Sequence, residues 1–207
     1  APNHALCVMA DYLYRHHKVR DAHSIGRTLG TTSLLDRIAD EYGLKLDEVN
    51  VGFKYFVEGI LKRKYVLAGE ESAGMSVSGW TPEKDGILAV CLLMEITAKE
   101  GDVAELYNRL TDKHGTPYYT RVDVPTDEAT KKRVKALKAS DFETLHQVAG
   151  ERVTRVRDTD GIKVYLQCSW FLVRPSGTEN ILKIYAETFV SQKHLEELLA
   201  QAQRLLA

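Results

Sequence analysis

Long apolar runs are missing from this 207-residue sequence: the longest, Ile87 to Met94, is eight residues and gives way to Glu95. A helix needs ~20 apolar residues to cross a bilayer core, so no segment reads as a membrane span. Cysteine is scarce, with three at positions 7, 91 and 168. An odd, scattered set excludes a disulfide framework and reads as free thiols in a reducing compartment, which makes the cytoplasm the expected location. An excess of charge is absent too: 28 Lys and Arg against 29 Asp and Glu leave a formal charge of -1. No global field then favours nucleic acid or an anionic membrane, and any anion must be held locally. The start lacks the basic and apolar stretches of a secretory leader. It opens on Ala1 rather than Met, and the chain is expected to begin partway through a longer protein.

What is present suits a folded chain, with 44% hydrophobic and 28% charged residues. The length fits two cores better than one. Helical spacing puts Leu6, Met9, Ala10, Leu13 and Tyr14 on one face behind Asn3 as a cap. A second helix follows Thr31 and Thr32, with Leu35, Ile38, Ala39 and Tyr42 inward and Gly43 as its stop. A third carries Phe53, Phe56, Val57, Ile60 and Leu61. Strands near 24–27, 46–51 and 65–68 alternate with these, the order of an α/β domain. From Asp85 to Ala98 apolar residues run round most of the helix, which predicts a core helix. Asp102 caps a further one, and His114-Gly115-Thr116 before Pro117 marks the expected domain boundary.

Beyond Pro117 the pattern becomes strand-rich. Residues 162–167 and 182–187 alternate apolar and polar side chains, which predicts strands with one wet face. Ser191 opens a last helix with Leu195, Leu198, Leu199, Ala202 and Leu205 inward. The expected architecture is therefore a mixed-sheet α/β domain, 1–116, followed by a smaller α+β domain with an antiparallel sheet, 117–207.

Two loops carry ligand chemistry. Gly69-Glu70-Glu71-Ser72-Ala73-Gly74 follows an apolar strand. Glu70 accepts hydrogen bonds, while Ser72 both donates and accepts, so the pair suits adjacent sugar hydroxyls. The same residues also suit a solvated acidic turn. Arg174-Pro175-Ser176-Gly177-Thr178-Glu179 supplies a guanidinium fork, two hydroxyls and backbone N–H groups, the donor set of a phosphate dianion. Its plain alternative is a turn between strands with Arg174 on the surface. His4 and Cys7 lack a third ligand and read as structural. The run Lys131, Lys132, Arg133, Lys135 and Lys138 is flanked by acids and reads as a solvated helix face.

These two loops, about a hundred positions apart, resemble the sugar-binding and phosphate-binding loops of the alpha-D-phosphohexomutases. Gly52-Phe53-Lys54-Tyr55-Phe56, Lys84-Asp85-Gly86-Ile87 and Lys183-Ile184-Tyr185 look like the bacterial phosphoglucomutase branch. The resemblance covers the whole chain and matches the third and fourth of four domains. It implies a reversible shift of phosphate between the 1 and 6 positions of glucose through a bisphosphate. Carried over position by position, Glu70, Ser72 and Gly52 would meet the sugar. Arg174, Ser176, Gly177 and Thr178 would meet the nonreacting phosphate, and Arg27 and Lys84 would be basic residues facing the cleft.

The implied phosphoserine and Mg2+ loops belong to earlier domains, and neither is found here. Asp158-Thr159-Asp160-Gly161 lacks the third acid and the arginine of the metal loop. The resemblance therefore assigns this chain no catalytic residue, no metal and no turnover of its own. Mg2+ and glucose 1,6-bisphosphate belong to the full-length enzyme, and the expected partners are a hexose phosphate and the missing N-terminal domains. Gly74 stands where the phosphomannomutase branch usually has histidine, which favours glucose. A phosphomannomutase, or a non-catalytic sugar phosphate-binding module, is the alternative.

Overall fold

The structure, a computed structural model, describes residues 1–19 and 21–205. It divides into two compact units, the first Ala1–Thr116 and the second beginning at Pro117. Among the described residues no helix is long and apolar enough to cross a membrane. Cys7 is buried, Cys91 and Cys168 are exposed, and all three are free thiols.

The first unit is α/β. Strand β1 (Ser24–Thr28) lies at the centre, with β2 (Lys45–Val49) and β3 (Tyr65–Gly69) parallel to it on either side and the short β4 (Met75–Ser76) antiparallel at the edge. β1 and β3 are buried along their whole length, as central strands of a covered sheet must be. Helix α1 (Pro2–Arg15) buries Leu6, Met9, Ala10 and Leu13, and α2 (Leu34–Glu41) buries Leu34, Leu35, Ile38 and Ala39. Gly43 follows α2 at φ 62°, the left-handed conformation that ends helices. Asp85 and Asp102 cap α4 (Gly86–Glu100) and α5 (Val103–His114), each accepting from two backbone N–H groups, an arrangement worth ~1 kcal/mol per helix.

Three details depart from the sequence reading. Asn3 is not the cap of α1. It sits in the first turn, where Oδ1 accepts from the Thr32 N–H. The expected third helix is split into a 3-10 turn, Phe53–Tyr55, and α3 (Val57–Leu61). Phe53, Phe56 and Ile60 are buried and Leu61 is exposed. The largest departure is α4, expected to be a core helix. Only Leu92 and Ile96 are buried, and Ile87, Val90 and Met94 lie open to solvent.

The second unit is α+β. Its antiparallel sheet runs β5-β10-β9-β8-β7-β6, formed by β5 (Tyr118–Pro125), β6 (Gln147–Val148), β7 (Glu151–Arg157), β8 (Ile162–Leu166), β9 (Ser169–Pro175) and β10 (Ile181–Thr188). Ile162, Val164, Phe171, Val173, Leu182, Ile184 and Ala186 form a core with Val134 of α6 (Glu128–Ala136) and Leu195, Leu198 and Ala202 of α7 (Gln192–Arg204). Leu199 packs only at the margin and Leu205 is exposed.

The other face of this sheet is only partly wet, with Gln167 exposed and Tyr165 and Lys183 half-buried. Lys163 and Glu187 are fully buried, with Tyr185 beside them. The Lys163 ammonium lies 4.1 Å from the Trp170 ring centroid and 4.8 Å from that of Tyr165, while the Trp170 indole donates to Glu187 at 3.0 Å. Aromatic faces and a carboxylate thus replace water around the alternating polar residues.

Candidate functional site

Parallel β1, β2 and β3 end at one edge of the first sheet, and their carboxyl ends are where an α/β fold gathers ligand groups. Thr28 ends β1. Gly52 follows β2, and Glu70 follows β3. Gly52 adopts φ 133°, a conformation that favours glycine, and its backbone acts weakly to hold the Glu70 carboxyl down. Lys84 approaches the same carboxylate at 3.5 Å.

Gly74 closes the group. A Cβ there would lie 2.9 Å from Lys84 Cδ and 3.2 Å from Glu70 Oε2. The Glu70 N–H donates to Gly74 O at 2.9 Å and the Ala73 N–H to Glu70 O at 3.0 Å, which folds the segment into a tight turn with Ala73 at φ 73°. Ser72 is exposed at its tip. Gly52, Glu70, Gly74 and Lys84 therefore meet.

Thr28 adds a hydroxyl that sequence patterns do not select. Its Oγ1 lies 2.8 Å from Thr31 Oγ1 and donates to Glu71 at 3.3 Å, with both threonines buried. Ordinary threonines at a strand end carry no spacing signal that would have singled them out.

Burial pushes the Glu70 carboxyl above the usual carboxylate range, against the pull of Lys84 and with the help of Glu71. A raised folded-state pKa means the folded chain holds more protons than the unfolded one just above the ordinary range. Stability is therefore lost as pH rises through that window. Glu70→Gln keeps the shape without the charge, so its stability relative to wild type should increase from acidic to neutral pH in urea unfolding. A difference that stays constant across pH would count against this environment for Glu70.

Arg27 does not present an open cation. It is 3% exposed, with Nε and Nη2 on the two oxygens of Asp36 at 2.5 and 2.7 Å and Nη1 on Glu48 at 2.6 Å. A guanidinium so matched would have to break an ion pair to reach a ligand.

In the second unit the Arg174 loop is the turn between β9 and β10, closed by the Ser176 N–H donating to Ile181 O at 3.0 Å. Ser176 is buried and its hydroxyl accepts from the Glu179 N–H at 3.3 Å, while Gly177 and Thr178 are exposed. Arg174 Nε donates to Asp160 at 2.9 Å. Gly161 makes this pairing possible. It stands at φ 83°, and a Cβ on it would lie 2.2 Å from Val173 O.

Lys131, expected to be solvated with its basic neighbours, instead donates to Glu179 O at 2.9 Å, and its side chain is 13% exposed. It fastens α6 to the loop. His4 stacks on Tyr107, with ring centroids 3.8 Å apart.

One turn at the carboxyl edge of a parallel sheet and one in an antiparallel hairpin stand in an architecture of two units, the first α/β and the second α+β. Comparison with known proteins identifies that architecture. Residues 1–114 match phosphoglucomutase/phosphomannomutase, alpha/beta/alpha domain III, and residues 120–205 match phosphoglucomutase/phosphomannomutase, C-terminal domain; the chain belongs to this family. It is 39% identical to the phosphoglucomutase of Komagataeibacter xylinus over 98% of its length, covering 39% of that protein. It is 29% identical to a phosphoglucomutase/phosphomannomutase of Thermococcus kodakarensis, over 83% of this chain and 35% of the relative. Among solved structures, parafusin (phosphoglucomutase) from Paramecium in an open form superposes with a TM-score of 0.74 at 25% identity, covering 99% of this chain and 40% of that one. The chain thus spans about two fifths of the relatives' length.

Proposed function

We propose that the chain is the substrate-gripping half of a phosphoglucomutase that interconverts glucose 1-phosphate and glucose 6-phosphate through a bisphosphate. In this reading Glu70 and Ser72, with Gly52 and Lys84 beside them, hold the sugar hydroxyls. Arg174, Ser176, Gly177 and Thr178 hold the phosphate that is not reacting. The observation that carries the reading is the buried Glu70 carboxylate, set beside Lys84 at the edge where β1 to β3 end. A carboxylate so fixed accepts from a pair of hydroxyls without reorganising, and remote phosphate binding then positions the reacting end.

The phosphoserine, the Mg2+ and the N-terminal domains that carry them would come from the rest of the full-length protein, in the cytoplasm. The residues here do not fit the metal. Asp160 is committed to Arg174 and Asp158 to the Ala139 N–H, and among the described residues no cluster of three or more His, Cys, Asp or Glu could hold an ion. No step is assigned to a metal on this chain.

Titration of the 207-residue chain with glucose 6-phosphate, followed by backbone amide shifts, should perturb Ser72 and Gly177 together, while inorganic phosphate should perturb Gly177 alone. The chain by itself should show no mutase turnover. Silence at both loops, or turnover by the isolated chain, would overturn the proposal.

A further inference from the structure

Lys84 reaches the Glu70 carboxylate at 3.5 Å from the loop between β4 and α4, and a long, half-exposed side chain keeps such a place only if its backbone is fixed. Met75 of β4 supplies one tie. It is paired with Gly69, the residue before Glu70, and its carbonyl accepts from the N–H of Asp85, the residue after Lys84, at 2.9 Å. Buried Met75 thereby joins the strand that ends at the acid to the loop that delivers the cation. Asp85 supplies the second tie, because it uses both carboxylate oxygens. Oδ1 caps α4, accepting from the Ile87 and Leu88 N–H groups at 2.9 and 3.0 Å, while Oδ2 accepts from the Trp80 indole at 2.9 Å. That indole bond is the largest influence holding the Asp85 carboxyl below the usual carboxylate range. The cap is complete with one oxygen, so the indole bond serves something else. It closes residues 80–85 into a loop with Lys84 inside it, and the Ser76 hydroxyl pins the same loop to β4 by donating to Thr81 O at 2.6 Å.

We propose that Asp85 and Trp80 are positioning residues, a latch that sets Lys84 against Glu70. The proposal rests on reading Glu70 and Lys84 as part of the sugar site. An exposed hydrogen bond contributes little to stability, but this one removes freedom from the segment that holds a single charge, and its effect falls there. Space around that charge is tight. The Lys84 stem runs against the turn at Gly74, where a Cβ would lie 2.9 Å from Lys84 Cδ, so a shift of the loop moves the ammonium relative to the acid. The consequence is chemical. Burial and Glu71 push the Glu70 carboxyl up and Lys84 pulls it down, so a displaced Lys84 leaves an acid that protonates more readily and accepts fewer hydrogen bonds from hydroxyls.

Carboxyl-carbon NMR titration of the 207-residue chain, with Glu70→Gln assigning the resonance, reads the latch without turnover. Lys84→Met should move the Glu70 midpoint up. Trp80→Phe keeps an aromatic ring and removes the donor; it should move the midpoint the same way, and should add nothing when combined with Lys84→Met. Asp85→Ser still caps α4 but has no second oxygen for the indole. Loss of the Asp85 charge alone would pull the Glu70 midpoint down, so an upward move in Asp85→Ser reports displacement of Lys84, and a downward one would overturn the latch. In the full-length mutase Trp80→Phe should lower kcat/KM roughly tenfold. A midpoint unmoved by Trp80→Phe, with glucose 6-phosphate still perturbing Ser72, would sink the latch and leave the sugar site standing. Silence at Ser72 in the unsubstituted chain would remove the sugar site itself, and the latch with it.

Discussion

Arg174→Ala is expected to lower kcat/KM of the full-length mutase by roughly 30-fold to several thousand-fold, the equivalent of ~2–5 kcal/mol in transition-state binding. Truncation removes the guanidinium at the head of the β9–β10 turn and leaves Ser176, Gly177 and Thr178 as neutral donors to a dianion. It also strands Asp160, whose carboxylate accepts from Arg174 Nε at 2.9 Å and would then repel the phosphate. Arg174→Lys should recover only part of the loss, because an ammonium keeps the charge but not the planar fork, which meets Asp160 and which the proposal also sets against the phosphate. Steady-state kinetics with glucose 1-phosphate reads the effect, and an unchanged kcat/KM in Arg174→Ala would remove the turn from the site.

The parts of the fold legible in the sequence are those written in contiguous residues. The run Tyr65 to Gly69 is a buried strand, and the acidic turn after it is where the structure places Glu70. What escaped depends on partners distant in sequence. Lys131 reaches a backbone carbonyl 48 positions away, and a carbonyl is an acceptor that any residue supplies. No pattern of residue types can announce that contact.

Helix α4 failed for a different reason: an all-round apolar helix reads the same whether its cover comes from its own domain or from another. The alternation through Lys163 and Glu187 failed because period-two patterning reports polarity, not wetness. Lys163 lays its ammonium over Trp170 at 4.1 Å and is buried with its charge. Arg27 belongs to the same class, being a cation whose surroundings are set by the register of β1 against β2, which places it directly beside Glu48.

That environment makes Arg27→Met the substitution with the largest expected cost to stability, ~3–5 kcal/mol, because it removes the buried cation that balances Asp36 and Glu48. Burial alone would lower the Arg27 pKa, but Asp36 and Glu48 more than offset it and the guanidinium is held firmly charged. The value should fall toward the lower end of the range. The Asp36 side chain is 34% exposed and can rehydrate, whereas that of Glu48 is 11% exposed and cannot. If the penalty arises from Glu48, then Arg27→Met with Glu48→Leu should regain a substantial part of it, since an apolar pair of similar volume carries no buried charge.

Urea unfolding of the wild type, the two single variants and the double completes the cycle. The same series decides between two roles for Arg27. If it staples α2 and β2 to β1, stability falls and glucose 6-phosphate affinity of the folded fraction is retained. Should stability hold while affinity collapses, Arg27 opens its ion pairs to meet the ligand, and its placement as an internal staple is wrong.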